Sequence, residues 1–177
     1  MIIKNKDNSS FDIHQLPEKF LQSWHNLVNE YARLMGFDIA FITHIEPTND
    51  LLELVAVNEN QDVINKYDQF KLAGTFCEET IKLKKRPHIV KDARIAEKYK
   101  DNVEIEKGFI SYVGFPVRWP TGEIFGTICS NNKKPVDLEQ NQIKLLETSR
   151  DLVEAHLEIF HEHRLLLESQ KKLKKSQ

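Results

Sequence analysis

The sequence predicts an α+β fold, in which helices cover one antiparallel sheet, and two observations support this prediction. The chain has 177 residues, of which 40% are hydrophobic and 29% are charged, so it suits one domain with a buried core. Apolar residues recur at helical spacing near both ends, whereas the interior holds paired runs of β-branched and aromatic residues. The resulting order is helix, two strands, a mixed middle, two strands and helix, which suits a sheet with helices on its faces.

The first helix is predicted from apolar residues that lie three and four positions apart between Leu16 and Met35. Pro17 opens this helix and Gly36 closes it. After Gly36, the runs FDIAFITHI and LLELVAV are joined by EPTND and predict a β-hairpin. The following segment, QDVINKYDQFKL, predicts a short helix and then a strand that reaches Leu72.

The middle and second half of the chain alternate between helix and strand signals. Thr75 and Glu78 stand at the spacing of a capping box, which predicts a helix over about 76–84. PHIV predicts a short strand, and KDARIAEKYKDNVEIEK predicts a loop with one or two helical turns. FISYVGFPV and EIFGTIC, joined by the turn RWPTG, predict two strands that are buried on both faces. We expect Asp137 to cap a last helix, with Gln140 three residues on.

Two apolar heptad repeats run along this last helix and predict that it pairs with another helix. The repeats consist of Leu138, Leu145, Leu152, Ile159, Leu166 and Leu173, and of Leu146, Val153, Phe160 and Leu167. We therefore expect a parallel homodimer joined through the first and last helices. The expected organisation is a flexible N-terminus (1–15), one folded domain (16–157) and a coiled-coil linker (158–177) toward a further, C-terminal domain. The alternative for the last segment is a frayed, charged tail.

Composition and motifs exclude several classes of function. The net charge of −2 gives no electrostatic reason to expect a nucleic acid or a membrane as partner. No secretory signal or membrane-spanning run is evident, so we expect a cytoplasmic location. The two cysteines form no Cys-x-x-Cys pair, and the chain has no phosphate loop, nucleophile elbow or His-Glu-x-x-His motif. We expect neither enzymatic activity nor a metal site.

The segment FCEETIKLKKRPHIVKDAR, followed by GFISYVGFPVRWPTGEIFGTIC, resembles the GAF domain, in the form found N-terminally in bacterial histidine kinases and diguanylate cyclases. The resemblance covers roughly residues 16–157. Its most specific part is the ordered run SYVGFP (111–116), WP (119–120) and FGTIC (125–129). The family often continues with an apolar residue, Leu and Asp, where this chain has SNN (130–132). The Asn-Lys-Phe-Asp-Glu signature of cyclic-nucleotide GAF domains is missing, so the resemblance does not imply cyclic-nucleotide binding.

The resemblance implies a central antiparallel sheet with the first and last helices packed together on one face. It implies a small-molecule pocket on the other face, under the irregular middle segment. The expected function is that of a small-molecule sensor in a two-component or diguanylate cyclase system, which passes its state through the last helix. The ligand and any cofactor are not identified by the sequence. If side chains fill the pocket instead, the chain is a pure dimerisation module.

The candidate pocket residues are Phe76, Cys77, His88, Asp92 and Tyr112. His88 is suited to hydrogen bonding or titration near neutral pH, and Tyr112 joins an apolar ring to a polar tip. Asp92 either contacts a ligand or caps the next helical turn. Cys77 lies near the start of a predicted helix, where backbone N–H groups favour a reactive thiolate. The alternative function is therefore a small redox enzyme or thiol sensor, as in GAF domains that reduce free methionine sulfoxide.

Overall fold

The computed structural model describes residues 11–46, 48, 50–60, 62 and 64–177. The α-helices are α1 (Glu18–Met35), α2 (Phe76–Thr80), α3 (Val103–Glu106) and α4 (Gln140–Lys175). The strands are β1 (Ile39–Glu46), β2 (Leu51–Val57), β3 (Gln69–Lys71), β4 (His88–Val90), β5 (Ser111–Arg118) and β6 (Ile124–Asn132). Short 3-10 turns lie at Ile13–Gln15, Ala93–Ile95 and Glu97–Tyr99.

The six strands form one sheet in the order β3-β2-β1-β6-β5-β4, and every neighbouring pair is antiparallel. The predicted hairpins are present as β1–β2 and β5–β6. Their inner strands, β1 and β6, pair at the centre of the sheet, with Thr43 opposite Thr127. The two Thr hydroxyl oxygens lie 2.8 Å apart, and Thr43 Oγ1 also accepts a hydrogen bond from the backbone N–H of Thr127. The predicted α+β fold is confirmed.

Each face of the sheet carries its own apolar core. On one face α1 and α4 pack together against the strands, and this core includes Trp24, Val28, Phe125, Val153 and Leu157. On the other face the segments between β3 and β5 cover a second core, which includes Ile39, Leu54, Phe76, Tyr112 and Cys129. Because both faces are covered, β5 and β6 are buried along nearly their whole length, as their continuous apolar runs predict.

The two long helices are joined by a specific polar contact. Trp24 Nε1 donates a hydrogen bond to His156 Nδ1 over 2.9 Å, and Phe20 stacks on the His156 ring with centroids 4.4 Å apart. Burial lowers the pKa of His156, and the nearby Lys19 adds to this effect. A neutral imidazole is needed here because a protonated Nδ1 cannot accept the Trp24 hydrogen bond.

Local signals predict the ends of α1 and the start of α2 correctly, but the capping bonds predicted for α2 are not present. Gly36 ends α1 with a left-handed backbone (φ 69°), which glycine adopts without strain. Thr75 Oγ1 donates to the Leu72 carbonyl, and Glu78 accepts from the Gly74 N–H, so the predicted capping box is wrong. In addition, α2 ends at Thr80, four residues earlier than predicted.

The start of α4 also differs from the prediction. Glu139, not Asp137, caps this helix in a capping box with Gln142. The Asp137 carboxylate instead pairs with the Lys91 ammonium, at 2.8 Å. A second capping box was available two residues farther along the chain, and the fold uses that one.

Two further expectations concern irregular segments. The short helix predicted before β3 is not present at Asp62 or in 64–68, while Gln61 and Val63 lie outside the described residues. Residues 1–10 also lie outside them. The rest of the predicted flexible N-terminus packs on the core: Ile13 is buried, and the Phe11 ring contacts the ring of Trp119 at 4.9 Å between centroids.

Along α4, the two heptad repeats lie in different surroundings. Leu146, Val153 and Phe160 are buried against the sheet and α1. The other repeat forms an exposed apolar stripe, with exposed fractions between 36% and 63%, which consists of Leu145, Leu152, Ile159, Leu166 and Leu173. No helix in the described part of the chain is long and apolar enough to cross a membrane.

Gly126 is expected to tolerate no side chain, because β1 and β6 approach closely there. A Cβ atom at this position would overlap the backbone carbonyl oxygen of Thr43. We expect Gly126→Ala to lower the free energy of unfolding by about 3 kcal/mol, which urea denaturation measures. Thr121→Ala, in the exposed turn before β6, is the control and is expected to change it by less than about 0.5 kcal/mol. Equal stabilities of the two variants would contradict the prediction.

Candidate ligand cavity and the polar network behind it

A cavity of about 70 Å³ lies on the sheet face opposite α1 and α4. Its walls come from β1, β2 and β6, from the segment before and after β3, and from α2 and α3. The residues that line it are Ile39, Phe41, Leu52, Leu54, Ile64, Phe70, Thr75, Cys77, Val103, Glu104, Lys107, Phe109 and Asn131. Nine of these thirteen are apolar or thiol side chains, so the cavity is an apolar space with a few polar groups on its wall.

Glu104 is the ionisable group that borders this cavity from α3. Its carboxylate accepts hydrogen bonds from the Phe76 backbone N–H at 2.7 Å and from Asn131 Nδ2 at 2.9 Å. The helix places it there because Asn102 caps α3 by accepting from the Glu104 N–H at 2.8 Å. Burial nevertheless raises the pKa of Glu104 above its ordinary value, since the hydrogen bonds only partly offset the loss of solvent.

Asn131 brings a second polar group to the same wall from β6. Its side chain is 3% exposed, and Nδ2 is used by the bond to Glu104. Among the described residues, its Oδ1 atom has no hydrogen-bond partner. A buried amide oxygen without a partner is unusual in folded proteins, because it loses its hydration without compensation.

Four of the five sequence candidates are buried on this face of the sheet. Cys77 borders the cavity, and its Sγ atom lies 3.7 Å from the Tyr112 hydroxyl and 3.3 Å from Thr127 Oγ1. Phe76 packs against Tyr112, with ring centroids 5.1 Å apart. Phe76, His88 and Tyr112 are therefore neighbours of the cavity wall and do not line the cavity.

A chain of hydrogen bonds continues from Tyr112 to the surface. Thr80 Oγ1 lies 2.8 Å from the Tyr112 hydroxyl and 3.0 Å from His88 Nδ1. On the other side of the ring, His88 Nε2 lies 3.0 Å from the Tyr99 hydroxyl and 3.4 Å from Glu79 Oε2. Burial lowers the pKa of His88 and outweighs the opposing effect of Glu79. The network holds α2 against β4 and β5, which is a structural role.

Asp92 lies apart from the cavity. Its carboxylate accepts hydrogen bonds from the Arg94 backbone N–H and from the Arg94 guanidinium, and Arg94 holds the pKa of Asp92 below its ordinary value. This residue caps a 3-10 turn, which is the capping alternative considered for it in the sequence.

Cys77 is the one lining residue among the sequence candidates; the charged and amide residues of the cavity, Glu104, Lys107 and Asn131, were not indicated by the sequence. Glu104 and Lys107 lie in a polar segment that resembles any solvated loop. Asn131 belongs to the SNN run, the point at which this chain departs from the pattern of the family it resembles. That departure was the available signal, but its pairing with Glu104, 27 residues away, follows only from the fold. Within the described residues, no group of three His, Cys, Asp or Glu side chains could hold a metal ion.

Comparison with known proteins gives structural similarity without close sequence similarity. No family model and no curated protein matches the chain. Among solved structures, the phycoerythrobilin-bound GAF domain of a cyanobacterial phytochrome has a TM-score of 0.69 and 14% identity, over 82% of this chain and 89% of that one. The GAF domain of Acinetobacter phosphoenolpyruvate-protein phosphotransferase has a TM-score of 0.66 and 18% identity, over 82% and 84%.

A substrate complex of the free methionine-R-sulfoxide reductase of Neisseria meningitidis is also similar, with a TM-score of 0.62 and 12% identity over 78% of this chain and 77% of that one. At these identities the similarity establishes the fold alone. The chain has the GAF fold, as the sequence resemblance implies.

The carboxyl of Glu104, a half-buried residue, predicts a specific dependence of stability on pH. Because its pKa is raised in the folded state, the unfolded chain releases this proton first as pH rises. The contribution of Glu104 to the free energy of unfolding therefore falls as pH rises, from the pKa of Glu104 in the unfolded chain up through its pKa in the folded chain. The Glu104→Gln variant does not lose this stability as pH rises. We therefore expect the difference between the Tm of the variant and the Tm of the wild type to be larger at pH 8 than at pH 4.

Glu106→Gln is the matched control, since Glu106 is an exposed residue of the same helix. Its Tm difference from wild type is expected to stay nearly constant with pH. Thermal denaturation across that range measures both variants. A difference for Glu104→Gln that does not change with pH would contradict the prediction.

Proposed function

We propose that this chain is the cytoplasmic input domain of a bacterial signal-transduction protein, which binds a small molecule on one face of its sheet and transmits the bound state through α4. The output is a histidine kinase or diguanylate cyclase domain, and the active form is a parallel homodimer. The chain itself catalyses no reaction and needs neither nucleic acid nor a membrane as partner.

One observation carries this proposal: the cavity and α4 lie on opposite faces of the same sheet. The cavity contacts β1, β2 and β6, while α4 packs against β5, β6 and α1. The last buried residue of α4 is Phe160, and the helix continues from there to Lys175 with its apolar stripe exposed. The cavity and the extended helix therefore pack against the same sheet, which is the arrangement that a sensor requires.

Two sets of contacts connect the cavity with α4. In β6, Asn131 borders the cavity and Phe125 packs among the residues of α1 and α4. The register between β5 and β6 shifts at Val117 and Arg118, so Phe125 has no opposite residue in β5. The alternation of side chains along β6 serves both cores, and the irregularity sets the face on which Phe125 lies.

The second set of contacts runs through the segment that follows α2. Arg150 of α4 is buried and donates a hydrogen bond to the Lys85 carbonyl at 3.2 Å. Arg118 donates to the carbonyls of Ile81 and Leu83, and its own N–H donates to Glu154 of α4 at 3.0 Å. A movement of α2, which borders the cavity through Cys77, would therefore change the surroundings of α4.

The redox alternative has less support. Both cysteines are buried, and burial raises the pKa of Cys129 well above its ordinary value, which disfavours a thiolate there. The bilin of one similar structure belongs to that protein. The cavity of about 70 Å³ is small beside ordinary ligand pockets of about 300–1,000 Å³. We therefore propose a smaller ligand.

The exposed stripe of α4 predicts the dimer interface. Leu152 and Ile159 lie on this stripe, so we expect the double variant Leu152→Lys with Ile159→Lys to be monomeric, because two ammonium groups cannot be buried at a helix seam without partners. Glu158→Lys adds the same charge on an exposed site outside the stripe and is expected to remain dimeric. Light scattering at micromolar concentration measures the masses. A monomeric wild type, or a dimeric double variant, would contradict the interface.

The heptad period predicts how α4 transmits the state of the domain to the output domain. In the protein that joins this chain to its output domain, seven residues inserted after Leu166 keep the seam in phase, and we expect regulation to persist. Four inserted residues rotate the seam by about one-seventh of a turn, and we expect output locked on or off. Output activity with and without the stimulus is the measurement. Normal regulation in both insertions would show that the helix is a passive tether.

A further inference from the structure

Two of the four polar residues that line the cavity, Glu104 and Asn131, have acceptor positions that no donor among the described residues fills. A carboxylate has about four lone-pair positions, and two donors, the Phe76 N–H and Asn131 Nδ2, reach that of Glu104. The adjoining amide oxygen of Asn131 is buried and has no partner among the described residues. An occupant that supplies donors, and supplies more than one, would satisfy this wall.

Size and polarity restrict the rest of the occupant. If a water-sized group takes about 10–15 Å³, a cavity of about 70 Å³ holds about five to seven such groups. The wall away from Glu104 and Asn131 is formed by aliphatic and aromatic side chains such as Leu52, Leu54 and Phe70. The occupant is therefore a short hydrocarbon with one polar end.

We propose that the cavity binds a small primary ammonium with a short hydrocarbon body, its nitrogen seated against Glu104 and Asn131. This inference rests on the proposed function, because it names the ligand class of the same site. An ammonium has three donors and no acceptor, so it matches the carboxylate and the unpartnered amide oxygen together. A hydroxyl offers one donor and adds two lone pairs to a wall that already has unfilled acceptor positions.

The electrostatics of Glu104 agree with this choice. Burial raises the pKa of Glu104, and its hydrogen bonds and Lys107 offset this only in part. The ionisable groups near it are Lys107, which directly follows α3, Cys77 on α2, and Cys129 and Tyr112 on β6 and β5. The Lys107 ammonium lies 4.5 Å from the Phe70 ring centroid. Lys107 lowers the pKa of Glu104 in part, and a bound cation would add to this compensation.

Three probes of equal hydrocarbon shape test the inference on the 177-residue chain: isoamylamine, isoamyl alcohol and 4-methylpentanoate. Isothermal titration near pH 7 is expected to show that the amine binds about tenfold or more tightly than the alcohol, as a charge-assisted hydrogen bond provides. The carboxylate is expected not to bind. If the alcohol or the carboxylate binds as tightly as the amine, the ammonium inference is overturned and a small-molecule pocket remains.

Two variants test whether the amine binds at Glu104. Glu104→Gln is expected to weaken the amine about tenfold or more and the alcohol less than about threefold, because it removes the charge and keeps the shape. Glu106→Gln, the control on the same helix, is expected to change neither. Unchanged amine affinity in folded Glu104→Gln would overturn the inference.

A measurement on the wild type makes the test independent of the variant's folding. Amine affinity is expected to fall as pH is lowered through the titration of Glu104, while alcohol affinity stays constant. Amine affinity that does not change with pH, or no binding of any probe, would overturn the inference. The failure of all three probes would leave the dimer and insertion experiments to decide the proposed function separately.

Discussion

The pairing of β1 with β6 is the contact on which the rest of the structure depends. It joins two hairpins that are far apart in the chain, and it needs Gly126 to lie against the Thr43 carbonyl without an intervening side chain. The resulting strands form the floor of the cavity on one face and the support of α1 and α4 on the other. A packed interior changes its shape only by repacking, so these two faces cannot adjust independently.

In the described part of the chain, buried polar atoms without a hydrogen-bond partner lie on both sides of the sheet, at the Tyr31 hydroxyl among the helices and at the Asn131 amide oxygen beside the cavity. On the helix side, the Trp24–His156 pair is matched and needs no charge. On the cavity side, Glu104 and Asn131 leave a buried oxygen without a partner, in a segment whose helix α3 is only four residues long. Buried polar groups of this kind reduce stability unless an occupant supplies what is missing. Proteins commonly accept such a loss of stability at their functional sites.

The regular elements were predictable because each has a strong local signal. The caps of α1 and the apolar runs of β5 and β6 suffice to place them. The length of α2 was not predictable, since the carbonyls after Thr80 bond to Arg118 and Arg150, which are distant in sequence. The same reason applies to the cavity. Cys77 was identified as a candidate from its position, but Glu104 and Asn131 have meaning only as a pair, and their pairing exists only after the sheet has formed.

The length of α4 amplifies any change in the tilt of this helix at the sheet. Between Phe160, its last buried residue, and Lys175, the helix extends about 22 Å at 1.5 Å per residue. A tilt of about 10° at Phe160 would displace the far end of such a helix by about 4 Å, as geometry requires. The part of the helix beyond the sheet therefore converts a change of angle at Phe160 into a displacement that grows with every turn toward Lys175.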